Sequence, residues 1–397
     1  PRILQTQLNL RNSIHLQGPP GTGKTYQISQ IVANLCSEGK SVLVTALTNR
    51  ALIEIAKKES MAEMLKAGKV YKTKITTDER KDLPLLQLEK IVTPKKGCAI
   101  LSTFYIISGV AVESSSDCPF DYVIMDEASQ ALLPMIGAAR MLGAKNLLVG
   151  DIKQLPPVVQ LKELKIRERN YLGLVEGLRT ITEKSICPTY QLTESYRLTE
   201  RATRYTGLFY EDTLNSRLET QTVNSFGAFF LCNNGGPTLL KTDMEIGDLR
   251  DEALLNLALS VVGHIHQQDS KCEIAVLTCM KDTVRALQSV INSRIKSSKI
   301  LIDTVARIQG LTTDICVYVV PNTHYLRALE PRLFNVATSR ARRQTIIIAD
   351  KEILGYTRMN VDVRRYLEKL DQEFSFYLPY NKGKNNLLAN NNINFIE

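Results

Sequence analysis

The sequence predicts an α/β chain of two domains, each built on a parallel sheet covered on both faces. Three observations predict this. Short, near-continuous apolar runs recur along the chain, helix-patterned segments separate them, and the alternation restarts after a break near residue 190. A length of 397 residues suits two or three such domains with sizeable cores.

SIHLQG (13–18) is a strand running into a glycine-rich turn, followed by the helix pattern TYQISQIVANLCSEG (25–39). SVLVTA (41–46) and a second helix pattern, NRALIEIAKKESMAEML (49–65), come next. CAILST (98–103), DYVIMDE (121–127) and NLLVGD (146–151) are further strands, each ending in a polar residue. The second series is CEIAVLT (272–278), ILIDTV (300–305), DICVYVV (314–320) and TIIIAD (345–350). The expected division is a first domain over 1–190, a second over 191–355, and a C-terminal helix with an Asn-rich tail over 356–397. Residues 57–96 interrupt the first series and read as a small basic insertion. They hold eleven basic and six acidic residues, a net of +5 that suits a solvated helical face or a nucleic-acid contact equally.

Composition narrows the function classes. A net charge of +9 is compatible with a polyanionic partner. The eight cysteines form no C-x-x-C pair and there are only four histidines, which disfavours a zinc site and points to reduced thiols in a cytoplasmic or nuclear setting. No apolar run approaches the roughly 18 residues of a membrane span, and no signal-peptide pattern is present.

Two motifs carry chemistry, the second by standing beside the first in one domain. GPPGTGKT, Gly18 to Thr25, follows a strand and precedes a helix, the setting in which G-x-x-x-x-G-K-[ST] cradles a triphosphate. Gly18, Gly21, Thr22 and Gly23 would let backbone N–H groups curl around phosphate at the helix N-terminus, with Lys24 reaching the β- and γ-phosphates and Thr25 ligating Mg²⁺. YVIMDEAS delivers Asp126 and Glu127 to a strand end, where Asp126 suits Mg²⁺ and Glu127 suits polarising a water. The expected cofactors are ATP and Mg²⁺.

GPPGTGKT, DEAS, GDIKQLPP, ESYR, TVARIQG and NVATSRAR stand in the order seen in superfamily 1 helicases. The chain resembles most the 5′-to-3′ branch that contains the nonsense-mediated-decay RNA helicase and its DNA-processing relatives, over about residues 14 to 350. The resemblance implies two RecA-like domains with the nucleotide in the cleft between them. It makes Gln154 the sensor of the γ-phosphate, a role an amide suits because it both donates and accepts. It makes Arg197 and Arg340 arginine fingers, puts Gly310 beside the nucleotide, and gives single-stranded nucleic acid to Thr48, Asn49, Ser102, Thr103, Thr304 and Gln309. DNA and RNA both remain open, because such contacts go to the backbone.

Departures from the family pattern bear on function. The Arg-Glu that usually follows the QG pair is absent, and Thr312 stands where the Glu is expected. Gln5 and Gln7 lie too close to Gly18 for the adenine-reading glutamine of the branch, and nothing matches its β-barrel; both features would lie before Pro1. The sequence therefore supports an ATP-dependent helicase or translocase, with two alternatives: an ATP-gated clamp that scarcely unwinds, and a small-molecule P-loop ATPase or kinase.

Overall fold

The computed structural model describes all residues except 114–118, 161–162, 219–227, 309, 324 and 381–397. The chain divides into two compact units, Pro1–Leu192 and Thr193–Glu397. The Asn-rich tail, Cys118 and Gln309 fall outside the described residues.

The first unit holds strands β1 (Ser13–Gln17), β2 (Val42–Ala46), β3 (Val70–Lys72), β4 (Gln87–Leu88), β5 (Ala99–Thr103), β6 (Phe120–Met125), β7 (Gly143–Gly150) and β8 (Thr189–Gln191). They form one sheet in the order β4-β3-β5-β2-β6-β7-β1-β8, with every pairing parallel. Continuous apolar runs are required because both faces are covered. In β2, Val42, Val44 and Ala46 join one buried cluster with Leu16 and Ile124, while Leu43 joins the opposite one with Val123 and Leu148. Residues 57–96 are more than an appended insertion. Their β3 and β4 extend the sheet edge beyond β5, a role their Lys-rich sequence conceals.

β1 neighbours β7 and β8 rather than β2, so the chain reverses direction across the sheet at β1. Ligands of open α/β sheets gather at the carboxyl ends of strands at such a switch point. The N-terminal helix Arg2–Leu10 packs at the other end, where Lys145 Nζ, near the start of β7, donates to Leu8 O at 3.2 Å. Gln5 donates to Glu38 at 2.7 Å and Gln7 accepts from Tyr190 OH at 2.9 Å, so both serve the packing of that helix.

The second unit contains the short pair β9 (Glu194–Ser195) and β10 (Asn215–Ser216), then β11 (Gly236–Thr242), β12 (Ile274–Thr278), β13 (Ile300–Thr304), β14 (Thr313–Val319), β15 (Ala341–Asp350) and β16 (Ser375–Tyr377). The last six form a parallel sheet ordered β13-β12-β14-β15-β11-β16. Its core joins Leu240, Val276, Val317 and Ile346 to the helix Glu252–Gln268. The C-terminal region expected as helix and tail supplies Val361–Glu373 and the edge strand β16.

One buried group makes the first unit sensitive to acid. His15, inside β1, is fully buried; its Nδ1 lies 3.2 Å from the hydroxyls of Thr182 and Thr189, and its Nε2 has no partner among the described residues. Burial lowers its pKa to about 4 from the usual 6.5. The unfolded chain therefore takes up this proton at higher pH than the folded one. Stability is intact above 6.5 and declines as pH falls towards 4, by up to about 1.4 kcal/mol per pH unit. Urea unfolding midpoints should thus fall more steeply between pH 6.5 and 5 in the wild type than in His15→Gln. Parallel pH profiles would show that His15 is not responsible.

Candidate active site

The carboxyl ends of β6, β7 and β1 lie side by side in the sheet and carry Asp126, Asp151 and Gly18 directly beyond them. Gly21 and Gly23 hold φ of 74° and 78°, left-handed conformations that favour glycine. Gly18 is needed for space, since a Cβ there would come within 2.3 Å of Lys24 Cγ. Lys24 Nζ donates to Gly18 O at 2.6 Å, and Thr22 Oγ1 donates to Pro19 O at 2.8 Å. Lys24 opens the helix Lys24–Ser37, which has Gly23 as its N-cap and therefore no side-chain cap. Such an end attracts anions.

Asp126 is buried, with its N–H bonded to Thr45 O at 2.8 Å and its Oδ1 accepting from Glu127 N at 2.9 Å. Glu127 is half-buried at φ 52° and ψ 37°, a left-handed conformation uncommon outside glycine. Burial first, and then the neighbouring Glu127 charge, push the Asp126 carboxyl well above the usual range, while the Lys24 ammonium draws it back. Adjacent carboxyls at a buried strand end, and the half-buried Thr25 hydroxyl in the first turn of the helix Lys24–Ser37, are oxygen donors of the kind a hard divalent cation takes. Mg²⁺ fits these residues on chemical grounds.

Gln154 is pinned. Its Nε2 donates to Asp151 Oδ2 at 2.8 Å, and Asp151 Oδ1 accepts from Gln17 Nε2 at 2.5 Å and from Lys153 N at 3.0 Å. Gln17 Oε1 in turn accepts from Ile152 N at 3.2 Å. Gln17, Asp151 and Gln154 are all buried, so the network ties the strand before the phosphate loop to the expected sensor. Gln17 escapes motif reading. Its one signal is a glutamine closing an otherwise apolar strand immediately before Gly18.

In the second unit, Arg197 and Arg340 both reach the C-terminal end of the helix Pro331–Thr338, where carbonyls carry partial negative charge. Arg197 Nη1 donates to Ser339 O at 3.3 Å; Arg340 donates through Nε to Val336 O at 3.0 Å and through Nη1 to Leu311 O at 3.4 Å. Arg340 is 2% exposed, so it is no ordinary surface charge. Gly310 has φ 89°, Thr304 ends β13 with its N–H on Asp303 Oδ1 at 2.6 Å, and Thr312 is half-buried.

The expected strand contacts sort by exposure. Thr48 and Asn49 are exposed just beyond β2; the Thr48 hydroxyl accepts from Ala51 N at 3.2 Å, capping the helix Asn49–Ala56. Thr103 is half-buried at the end of β5. Ser102 is fully buried, its hydroxyl 3.2 Å from that of Thr73. Both faces of β5 are covered, so its polar residues Ser102 and Thr103 differ in burial by their distance from the strand end.

Among the described residues no helix is long and apolar enough to cross a membrane. Two family models, each described as an AAA domain, match residues 2–160 and 177–352. The chain is 26% identical over 382 residues to the DNA replication ATP-dependent helicase/nuclease DNA2 of Saccharomyces cerevisiae, covering 85% of this chain and 24% of that protein. The Homo sapiens protein of the same name is 31% identical over 194 residues, or 46% of this chain and 18% of that one. The chain thus spans about a quarter of the length of the yeast relative and less of the human one. A solved helicase, MrfA bound to DNA, aligns over 95% of this chain and 52% of its own at 11% identity and a TM-score of 0.49, too loose a likeness to support more. With its motifs in order on two parallel-sheet units, and with these matches along both, the chain belongs to the superfamily 1 helicases, among relatives that process DNA.

Proposed function

We propose that this chain is an ATP-driven helicase or translocase acting on single-stranded nucleic acid. The observation that carries the reading is the arrangement at the ends of β6, β7 and β1. A phosphate loop, a buried acidic pair and a hydrogen-bonded sensor occupy adjacent strands of one sheet. Lys24 and the loop N–H groups bind the phosphates, and Thr25 and Asp126 hold Mg²⁺. When bound, Mg²⁺ neutralises charge developing on the transferred phosphate. Glu127 orients and polarises the attacking water, and Gln154 registers the γ-phosphate through a carboxylate that Gln17 also holds. Arg197 and Arg340 act as arginine fingers on the γ-phosphate, as the family resemblance implies. The strand runs over Thr48, Asn49 and Thr103 of the first unit and Thr304 and Gln309 of the second, moving 5′ to 3′ as the family resemblance implies. The seven described cysteines are unpaired, which suits a reducing, nuclear or cytoplasmic setting.

Phosphate release measured with single-stranded DNA, single-stranded RNA and duplex as alternative stimulants tests this reading. Stimulation by a single strand is expected, and the stronger stimulant identifies the sugar. Equal hydrolysis with and without nucleic acid contradicts the reading and favours a small-molecule ATPase or kinase. Binding should ignore base sequence and weaken steeply with salt, because phosphate contacts release counterions. Across a salt series with mixed-sequence oligonucleotides, a flat dependence or a strong sequence preference would argue against a backbone grip. Thr312 favours a second reading, an ATP-gated clamp, since no carboxylate follows Gly310 where the family has one. In that case hydrolysis is stimulated but strands are not separated.

A further inference from the structure

The basic segment touches both stretches proposed to hold the strand. β3 ends at Lys72, paired with Leu101 of β5, and Thr73 N continues the pairing onto Leu101 O at 3.1 Å. From this corner Lys72 Nζ donates to Asn49 Oδ1 at 2.9 Å, and Thr73 Oγ1 lies 3.2 Å from Ser102 Oγ. Consecutive residues therefore hold the chain just beyond β2 and the end of β5.

The Lys72 side chain is only 1% exposed, and a buried ammonium is costly unless fully paired. Its other partners are Lys74 O and both oxygens of Glu79, at 3.1 and 3.2 Å. Glu79 is itself fixed by a capping box, accepting from Thr76 N at 2.8 Å while its own N–H donates to Thr76 Oγ1 at 3.3 Å. The ammonium thus has one defined place. A lysine only donates, so Asn49 must give it the carbonyl oxygen, which leaves both amide N–H groups on the other arm of an exposed side chain. Phosphate oxygens require donors of this kind.

We propose that Lys72 is a positioning residue for strand binding: it turns the Asn49 amide so that its N–H groups meet the phosphate backbone, and with Thr73 it ties the basic segment to both strand-holding stretches. This deepens the motor reading and rests on it. Affinity for a short fluorescein-labelled single-stranded DNA of mixed sequence, read by anisotropy, provides the test. Lys72→Met and Asn49→Ala should each weaken binding about tenfold, the scale of one hydrogen bond to a charged group, and the double variant should bind no worse than Asn49→Ala alone. In Lys72→Met the strand concentration giving half-maximal ATPase should rise by a similar factor, with the KM for ATP within about twofold of wild type. Additive losses, or unchanged affinity in folded Lys72→Met, would overturn the proposal. Should Lys72→Met not fold, Asn49→Asp carries the test, because it keeps acceptors for Lys72 while removing both donors. At least a tenfold loss, about one hydrogen bond, is expected with an unfolding midpoint no lower than wild type, and wild-type affinity would overturn the proposal. A wild-type protein that binds no strand fails the motor reading itself and takes this proposal with it.

Discussion

Lys24→Ala is expected to abolish ATP hydrolysis while leaving the first unit folded. The side chain lies along the loop, its ammonium 2.6 Å from Gly18 O, and removing it deletes the cation placed to meet the phosphate chain. Alanine is a good helix former, so the helix Lys24–Ser37 should persist. The loss extends to the acidic pair. Lys24 is the charge that draws the Asp126 carboxyl down against burial and Glu127, so removing it raises that carboxyl further. Removing one preorganised donor typically costs about 10²–10³ in turnover, and here two effects act together. Phosphate release with an unfolding curve on the same sample measures this, and near wild-type hydrolysis in a folded variant would remove the nucleotide-site assignment.

Arg340→Ala is expected to lower strand-stimulated turnover by at least about 10² while keeping ATP affinity within about tenfold. An arginine finger stabilises charge that develops during transfer, so its removal harms catalysis more than ground-state binding; such fingers are worth about 10³–10⁵. The threshold lies below that range because Arg197, bonded to the carbonyl of adjacent Ser339, can cover part of the loss. The burial of Arg340 adds a stability cost. Its bonds to Val336 O and Leu311 O hold the end of one helix to the loop after Gly310, and losing them should cost about 1–3 kcal/mol. Arg340→Lys separates the two effects: it retains a cation but not the planar fork, so turnover should fall although the charge remains. Turnover that survives Arg340→Ala would show that Arg340 is not an arginine finger.

How much could be read from sequence depended on whether a residue's partners are local. Strands β2 and β12 are continuous apolar runs because parallel strands are covered on both faces, and both are evident in SVLVTA and CEIAVLT. β11 is as deeply buried and pairs on both sides, yet its opening Gly236-Pro237 resembles a turn, and it is not apparent in the pattern. β3, β4 and β16 are strands of two or three residues at or next to a sheet edge, too short for any periodicity. The phosphate loop and the acidic pair are legible because their chemistry requires residue types at fixed, short spacing. Gln17 and Lys72 are not, since their partners lie 134 and 23 positions away and are selected by the sheet order. The burial of Ser102 is likewise invisible in its local motif, because its neighbour Thr73 comes from β3's end, 29 positions away.

Strand displacement tests the motor most directly. Two partial duplexes, one with a 5′ single-stranded overhang and one with a 3′ overhang, are incubated with the protein, ATP and Mg²⁺, with Lys24→Ala as the control. The account predicts ATP-dependent release of the strand from the 5′-overhang substrate, and none from the Lys24→Ala reaction. Stimulated ATP hydrolysis without displacement of either substrate would contradict it and leave a clamp in place of a motor.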